Sequence, residues 1–208
     1  MIDEKVAIIT GASHGIGAGL VAAYRDAGFK VVASAPSIEH STDPNVLSVA
    51  DDISNPETAE LIMNVGVDQF GRLDTLVNNA GAYISKPFTQ YTPADYDLMI
   101  STNLAGFFHI TQRALRMMEA QGWGHIVNIT ATVAQEPLKG VPAALASMAK
   151  GGLNSVTRAL AIEYASCGIG VNAVSPTIIR TLRRHHTPDS NRRFRSGELE
   201  RSKTSSLP

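Results

Sequence analysis

The segment after the first apolar run of the chain restricts the possible folds more than any other feature. Residues 5–10 read KVAIIT, and residues 10–17 read TGASHGIG. Glycines at positions 11, 15 and 17 let the backbone turn tightly and approach a ligand closely, and a helical period of apolar residues begins directly afterwards. A helix that starts there presents free N–H groups and the positive end of its dipole. The pattern predicts a strand, a turn and a helix that hold the pyrophosphate of a dinucleotide.

The rest of the chain alternates in the same way between short apolar runs and segments with a helical period. We expect strands over 5–10, 30–33, 46–50, 73–78, 124–130 and 171–174. We expect helices over 15–28, 56–70, 93–119 and 142–165. Strands joined by helices form βαβ units around a parallel sheet. The predicted fold class is therefore α/β, a doubly wound parallel sheet of the Rossmann type with six strands.

Composition limits what else the chain can be. With 208 residues, 44% of them hydrophobic and 18% charged, it is long enough for one folded domain and too apolar for global disorder. A net charge of −1 creates no field that would attract nucleic acid, and no apolar run approaches the roughly 20 residues that span a bilayer. The N-terminal residues carry no basic stretch ahead of an apolar one, so we expect no export signal and a cytoplasmic protein. A single cysteine, Cys167, excludes an internal disulfide, and the adjacent His185 and His186 have no third ligand nearby in sequence, so we expect no metal site.

Charge is distributed unevenly along the chain. Residues 182–208 contain seven basic and three acidic residues, a net of +4, and only four large apolar side chains. Residues 1–181 contain 11 basic and 16 acidic residues, a net of −5. So few apolar side chains cannot offset the entropy lost when the last segment is ordered. We therefore expect a folded domain over 1–181 and a basic, disordered tail over 182–208.

Further motifs follow the glycine-rich segment in a characteristic order. They are Asp52-Ile53, Asn78-Asn79-Ala80-Gly81, Asn103, Val127-Asn128-Ile129-Thr130, Lys150 and Asn172-Ala173-Val174-Ser175-Pro176. As a set they resemble the short-chain dehydrogenase/reductase family, whose members are NAD(P)-dependent Rossmann oxidoreductases of carbonyl or alcohol substrates. The resemblance covers residues 4–181. It implies that the basic tail replaces the last strand and helix of the family.

The resemblance also implies a set of cofactor-binding residues. These are Gly11, Ser13, His14, Gly15, Ile16, Gly17, Ser34, Asp52, Ile53, Asn79, Ala80, Gly81, Thr130, Lys150 and Pro176. NAD-binding members carry a carboxylate at the end of the second strand for the ribose 2′-hydroxyl. Here residues 33–37 read ASAPS, in which Ser34 and Ser37 would bond a 2′-phosphate, and His14 stands where NADP-binding relatives are often basic. We expect NADP(H) to be favoured over NAD(H).

Two alanines stand where the family carries catalytic hydroxyl groups. The family tyrosine, four residues before the lysine, corresponds to Ala146, and the serine after the fifth strand corresponds to Ala131. In the family the tyrosine protonates the carbonyl oxygen and the serine polarises it, and alanine does neither. Thr132 either replaces the serine or is an ordinary strand-end hydroxyl. Tyr83 either supplies the proton or packs the loop that borders the substrate.

The catalytic set that remains is Asn103, Lys150 and Thr132. The neighbours of Lys150 along the chain are small or apolar, so we expect its ammonium to reach the cofactor ribose rather than bulk solvent. Asn103 either supports catalysis or braces the helix backbone.

Three interpretations of function follow from this set of residues. The first is an NAD(P)(H)-dependent oxidoreductase with impaired or altered proton-donor chemistry. The second is a catalytically inactive nucleotide-binding protein, a pseudoenzyme, and the third is a degraded product with the fold partly lost. A missing last strand would leave an unpaired sheet edge, and the family's long helices, here 93–118 and 142–165, commonly pair across a two-fold axis. We therefore expect a homodimer or homotetramer.

Overall fold

The strands of the described residues form one parallel sheet. They are β1 (Val6–Thr10), β2 (Lys30–Ser34), β3 (Val46–Val49), β4 (Thr75–Asn78), β5 (Gly124–Ile129) and β6 (Ile169–Val174). The computed structural model describes residues 4–177 and residue 179. The six strands lie in the order β3-β2-β1-β4-β5-β6. The order reverses between β1 and β4, which is where doubly wound sheets hold a dinucleotide. The predicted α/β Rossmann fold with six strands is confirmed.

Five α-helices connect these strands in the described part of the chain. They are α1 (Gly15–Asp26), α2 (Pro56–Phe70), α3 (Pro93–Ile100), α4 (Gly106–Gln121) and α5 (Ala144–Glu163). Strand limits agree with the sequence prediction to within two residues, the largest differences being the starts of β4 and β6. The basic segment predicted over 182–208 lies outside the described residues.

The helix predicted over 93–119 is interrupted near its middle. A π-helical turn, Ser101–Ala105, separates α3 from α4 and carries the buried Asn103 at its centre. The prediction of one regular helix is wrong in this respect, because the apolar period continues on both sides of the turn. Single π turns inside helices are rare and occur frequently at functional sites.

Apolar side chains pack on both faces of the sheet. Ile8 and Ile9 are neighbours on β1 and point to opposite faces, as successive strand residues do. Ile8 joins a cluster with Ile62 of α2 and Ile110 of α4, whereas Ile9 joins a smaller cluster that packs against Leu20 of α1. Burial on both faces explains why the central strands β1 and β4 appear in the sequence as continuous apolar runs.

A chain of buried polar side chains crosses the centre of the sheet. Asn78 and Asn128 are register partners on β4 and β5. Asn78 Nδ2 donates to Asn128 Oδ1 and to Thr111 Oγ1, both at 2.9 Å, and Asn128 Nδ2 donates to Thr157 Oγ1 at 2.8 Å. These bonds tie α4, β4, β5 and α5 together, so they fix the carboxyl ends of the two strands relative to the helices.

A buried carboxylate closes the opposite, amino-terminal edge of the sheet. Asp74 is 1% exposed. It accepts hydrogen bonds from the backbone N–H of Val6 at 2.8 Å and from Nε and Nη2 of Arg72 at 2.8 and 2.6 Å. The carboxylate therefore joins β1 to the start of β4.

We expect Asp74→Asn to lower the free energy of unfolding by about 2 kcal/mol, because the variant loses charge-assisted hydrogen bonds at a buried position. Chemical denaturation at pH 7 measures this loss. Asp43→Asn is the matched control, because the side chain of Asp43 is 37% exposed in its ion pair with Arg25 and pairs with such access to solvent contribute little. Equal losses in the two variants would contradict the role given to Asp74.

Candidate functional site

The glycine-rich loop joins β1 to α1 at the carboxyl edge of the sheet, and close contacts require two of its glycines. Gly11 has a φ of +64°, and a Cβ there would stand 2.7 Å from the Cα of Ala80. A Cβ on Gly17 would stand 2.1 Å from the carbonyl oxygen of Gly11 and 2.6 Å from Nδ2 of Asn79. The loop therefore packs backbone against backbone, which is the arrangement that close approach to a pyrophosphate requires.

The segment after β4 is hydrogen-bonded to the end of β1. Thr10 Oγ1 accepts from the backbone N–H groups of Asn79 and Ala80 at 3.1 and 3.0 Å. In return, Asn79 Nδ2 donates to the carbonyl oxygens of Thr10 and Gly11 at 2.9 and 3.0 Å. The structure thus brings together two motifs that are almost 70 residues apart in sequence and were both predicted to bind the cofactor.

The amino-terminal end of α1 is open to a ligand. No side chain of residues 4–177 caps it, and its first turn holds no acidic residue. His14, the residue before the helix, is exposed, and its Nδ1 lies 2.9 Å from the hydroxyl of Ser13. Gly15, with a φ of +59°, and the half-buried Ile16 begin the helix. The free N–H groups of this turn and the helix dipole fit an anionic phosphate.

The residues predicted to bind the adenosine half of the cofactor lie after β2 and β3. Ser34 is 1% exposed, and its carbonyl oxygen accepts from the N–H of Ala12 at 3.0 Å. Ser37 is exposed. Asp52 is also exposed, and its Oδ1 accepts from the N–H of Ser54 at 2.9 Å. Ile53 is 5% exposed and packs in the core. Among the two candidate serines, Ser37 is therefore the one with an accessible hydroxyl.

Gly81, Asn103, Ile129 and Lys150 meet at what we call the lysine corner. Lys150 Nζ donates to the carbonyl oxygen of Ile129 at 2.9 Å. A Cβ on Gly81 would stand 2.9 Å from Asn103 Oδ1 and 3.1 Å from Lys150 Nζ. Both polar atoms therefore lie close to the exposed Gly81. Asn103 Nδ2 donates to the carbonyl oxygens of Met99 and Ala82 at 2.8 and 3.0 Å. Asn103 Oδ1 is buried and accepts no hydrogen bond from the described residues.

The lysine corner has an unusual electrostatic character. Burial lowers the pKa of the Lys150 ammonium to about 8, because it disfavours the charged form. A buried amide oxygen without a donor is costly, and such atoms in native proteins are generally satisfied by water or a ligand. The corner therefore offers donors on Lys150 and an acceptor on Asn103 at a point that opens to solvent at Gly81.

The remaining predicted residues lie where β5 and β6 end. Thr130 Oγ1 is 2.6 Å from the hydroxyl of Ser175 and 3.3 Å from the carbonyl oxygen of Val174. Thr132 Oγ1 points toward the carbonyl oxygen of Pro176 at 3.5 Å, and its backbone N–H donates to the same oxygen at 3.2 Å. Residues 130–132 are thus joined to the segment after β6. Ser175 was given no role on the basis of sequence, although its place in the motif next to Pro176 was a usable signal.

Ala131 and Ala146, which the sequence resemblance assigns to catalytic positions of the family, differ in their surroundings. Ala131 is half-buried in extended backbone before the short 3₁₀ turn Thr132–Ala134. Ala146 is 2% exposed and belongs to an apolar cluster with Met99, Ala143 and Leu145. Its neighbour Ser147 donates its hydroxyl to the carbonyl oxygen of Val133 at 2.9 Å, so that hydroxyl serves the packing of α5.

Residues 4–177 offer neither a metal cluster nor a membrane-spanning helix. No group of three or more His, Cys, Asp or Glu side chains in this range is placed to hold a metal ion. None of the helices described combines the length and apolarity needed to cross a bilayer.

The fold and the site together define a dinucleotide-binding protein of the Rossmann class. The glycine loop, the uncapped end of α1 and the lysine corner all lie at the carboxyl edge of the sheet. The chain belongs to the short-chain dehydrogenase family, whose model matches residues 5–191. The match ends ten residues after residue 181, where the resemblance described in the sequence analysis ends.

Individual relatives agree with this assignment. An uncharacterized oxidoreductase of Staphylococcus aureus strain USA300 is 30% identical over 188 residues, which cover 87% of this chain and 80% of that protein. The (2S)-[(R)-hydroxy(phenyl)methyl]succinyl-CoA dehydrogenase subunit BbsD of Thauera aromatica is 34% identical over 202 residues, which cover 93% of this chain and 80% of that protein.

Solved structures show the same fold with cofactor bound. The structure of ElxO with NADP bound matches this one with a TM-score of 0.80 and 31% sequence identity. The match covers 86% of this chain and 75% of the ElxO chain. The 3-ketoacyl-(acyl-carrier-protein) reductase of Brucella melitensis, complexed with NADH, has a TM-score of 0.81 and 29% identity, with 86% of this chain and 78% of that chain covered. Membership of this family therefore supports the assignment of the chain as an NAD(P)-dependent oxidoreductase.

Proposed function

We propose that the protein reduces a carbonyl compound, or oxidises the corresponding alcohol, with NADP(H), and that its proton-donor chemistry differs from that of its family. The observation that carries this proposal is the lysine corner. Lys150 and Asn103 keep a buried, polar arrangement beside the glycine loop although alanine occupies positions 131 and 146. A chain that had lost all use for the site would have no need to bury a lysine there.

The residues of the site have distinct parts in this reaction. A bound reduced nicotinamide supplies a hydride to the carbonyl carbon. The glycine loop and the first turn of α1 hold the pyrophosphate, and Asn79 keeps the loop in place through its bonds to Thr10 and Gly11. Lys150 reaches the cofactor ribose with one of its donors, and Asn103 positions the segment after β4 through its bond to the carbonyl oxygen of Ala82. Thr132 polarises the carbonyl oxygen in place of the absent serine.

The preference for NADP(H) is supported by the residues around the end of β2. No carboxylate stands at 33–37 to repel a 2′-phosphate, and Ser37 offers an exposed hydroxyl. The exposed imidazole of His14 lies on the glycine loop at the same edge. We expect His14→Ala to weaken NADPH binding about tenfold while NADH binding changes by less than threefold. Calorimetric titration of the variant with both nucleotides measures this, and equal losses for the two would argue against a role in 2′-phosphate binding.

A second function, nucleotide binding without turnover, is favoured by one specific observation. Ala146 is 2% exposed within an apolar cluster and carries no group that could donate a proton. A positioned general acid contributes roughly 10²–10⁴ in rate, and an oxyanion donor about 10²–10³. A protein without both groups would bind nucleotide and reduce nothing.

Two measurements on the purified protein separate these functions. Calorimetric titration with NADPH and NADH tests whether the site binds nucleotide, and we expect micromolar affinity with NADPH the tighter. Oxidation of NADPH in the presence of an activated ketone, 2,2,2-trifluoroacetophenone, then tests turnover. Binding with turnover supports the oxidoreductase, and binding without turnover supports the nucleotide-binding protein. No binding by a protein that is folded by circular dichroism would overturn both.

We further propose that the protein acts in the cytoplasm as a homodimer or homotetramer that pairs through α4 and α5. Phe108 on α4 and Met148 and Ile162 on α5 are large apolar side chains that are 54%, 49% and 81% exposed. Exposed apolar groups of this kind mark association surfaces. Light scattering after size-exclusion chromatography should give at least twice the 22.1 kDa mass of one chain. A monomer at micromolar concentration would refute the proposal.

A further inference from the structure

The lysine corner is the part of the site where a proton donor can still stand. The family's donor position, Ala146, is 2% exposed and closed off by apolar neighbours. Gly81, in contrast, is exposed, and Lys150 Nζ lies 3.1 Å from the place of a Cβ on that residue. Of these two positions, only Gly81 is exposed and has a proton-bearing side chain beside it.

The ammonium of Lys150 has donors to spare. A lysine ammonium carries three N–H donors, and within the described chain Nζ uses one of them, on the carbonyl oxygen of Ile129 at 2.9 Å. Two other hydroxyl groups are engaged, because Ser147 donates to Val133 and Thr130 is paired with Ser175. Thr132 Oγ1 lies 3.5 Å from the carbonyl oxygen of Pro176, so this long contact leaves it available for the polarising role proposed above.

We propose that Lys150 is itself the proton donor to the substrate oxygen, directly or through one water. This inference rests on the proposed oxidoreductase function. The carbonyl carbon takes the hydride with its electron pair, and the π electrons of the carbonyl bond move to oxygen. The oxygen takes a proton from Nζ, which leaves an alcohol, an oxidised nicotinamide and a neutral amine. The amine regains its proton from solvent.

The electrostatics of the corner suit this role. Burial brings the pKa of Lys150 to about 8, so at pH 7 the ammonium is protonated and yet acidic enough to give up its proton. The groups packed around Nζ come from the end of β5, the segment after β4 and the π turn. They are Ile129, Gly81 and Asn103, none of which titrates. The titratable residues nearest along these segments are the exposed Tyr83, the half-buried His125 near the amino-terminal end of β5, and Asp97 and His109, each six residues from Asn103.

The test compares the pH dependence of NADPH-driven reduction of trifluoroacetophenone in the wild type, in Lys150→Arg and in the matched control Lys139→Arg. Lys139 is an exposed lysine of the loop after β5. Arginine keeps the charge and the donors but does not release a proton in this pH range. We expect kcat/KM of the wild type and of Lys139→Arg to fall tenfold per pH unit above about pH 8. At saturating NADPH, we expect Lys150→Arg to reduce the ketone at least 100-fold more slowly than the wild type and to lack the fall above pH 8.

A measurement on the nucleotide-free protein is independent of turnover. In protein labelled with ¹³C at lysine Cε, one resonance should titrate near pH 8 and should be absent from Lys150→Arg. Titration of every lysine above pH 10 would overturn the proposal.

The remaining outcomes are also decisive. Persistence of the fall above pH 8 in Lys150→Arg, or its loss in Tyr83→Phe, would show another donor and overturn this inference while the oxidoreductase function stands. NADPH binding with no reduction by the wild type at any pH would overturn both.

Discussion

Replacing Gly17 with alanine is expected to abolish nucleotide binding, with a loss of at least 100-fold in affinity for NADPH. The added Cβ would stand 2.1 Å from the carbonyl oxygen of Gly11 and 2.6 Å from Asn79 Nδ2. Both of these atoms belong to backbone or to a side chain held by two hydrogen bonds, so neither can move without opening the loop. Calorimetric titration measures the affinity, and thermal unfolding should show a lower Tm as well.

Gly19→Ala is the matched control on the same helix. Gly19 lies two residues further along α1, and a Cβ there meets no atom within 4 Å. Alanine is favoured over glycine inside a helix by up to about 1 kcal/mol, so this variant should bind NADPH normally and unfold at a slightly higher temperature. Similar affinities for Gly17→Ala and Gly19→Ala would show that the close packing of the loop does not govern binding.

Replacing Lys150 with methionine is expected to stabilise the protein by about 2–3 kcal/mol at pH 7 while it removes activity. Burial lowers the pKa of the ammonium from 10.5 to about 8. Each tenfold change in a protonation constant corresponds to about 1.4 kcal/mol, and the resulting penalty on the charged form is reduced here because part of the side chain is exposed. Methionine has a similar length and no charge to desolvate. Urea denaturation of the two proteins measures the difference.

The pH dependence of that difference gives a sharper test. Between pH 8 and pH 10.5 the unfolded chain holds more protons on Lys150 than the native protein does, so the stability of the wild type rises with pH over this interval. The advantage of Lys150→Met should therefore be largest below pH 8 and should shrink toward pH 10. An advantage that stays constant from pH 7 to pH 10 would show that Lys150 is not desolvated in the native protein.

Local sequence patterns were sufficient to predict the scaffold of the site. The central strands β1 and β4 are buried on both faces and so appear as apolar runs. Gly11 and Gly15 mark a turn whose positive φ other residues resist, and Gly17 permits a close backbone contact. The membership of the lysine corner was also predicted, because Asn103 and Lys150 stand in recognisable motifs. Their meeting at Gly81 was not predicted, since it depends on how α5 and the π turn pack against β4.

Three features of the structure could not be predicted from local sequence patterns. Ala146 was known to lack a phenol, but its enclosure by Met99, Ala143 and Leu145 depends on how α3 packs against α5. The π turn at Ser101–Ala105 is not recognisable in the sequence, because apolar residues recur at helical spacing on both sides of it. The hydrogen bond between Asn78 and Asn128 required the register of β4 and β5, which apolar runs do not determine.

The π turn makes the length of this part of the chain as important as its composition. Successive helical residues are rotated by about 100°, so deleting one residue between 101 and 105 would turn α4 by that angle relative to α3. Such a deletion would leave every side chain of α4 chemically unchanged, yet it would swing Ile110 out of the core or carry Asn103 away from Gly81. Homologous chains should therefore tolerate substitutions around Asn103 more readily than insertions or deletions, because the rotation of the helix determines which side chains face the core and which face the site.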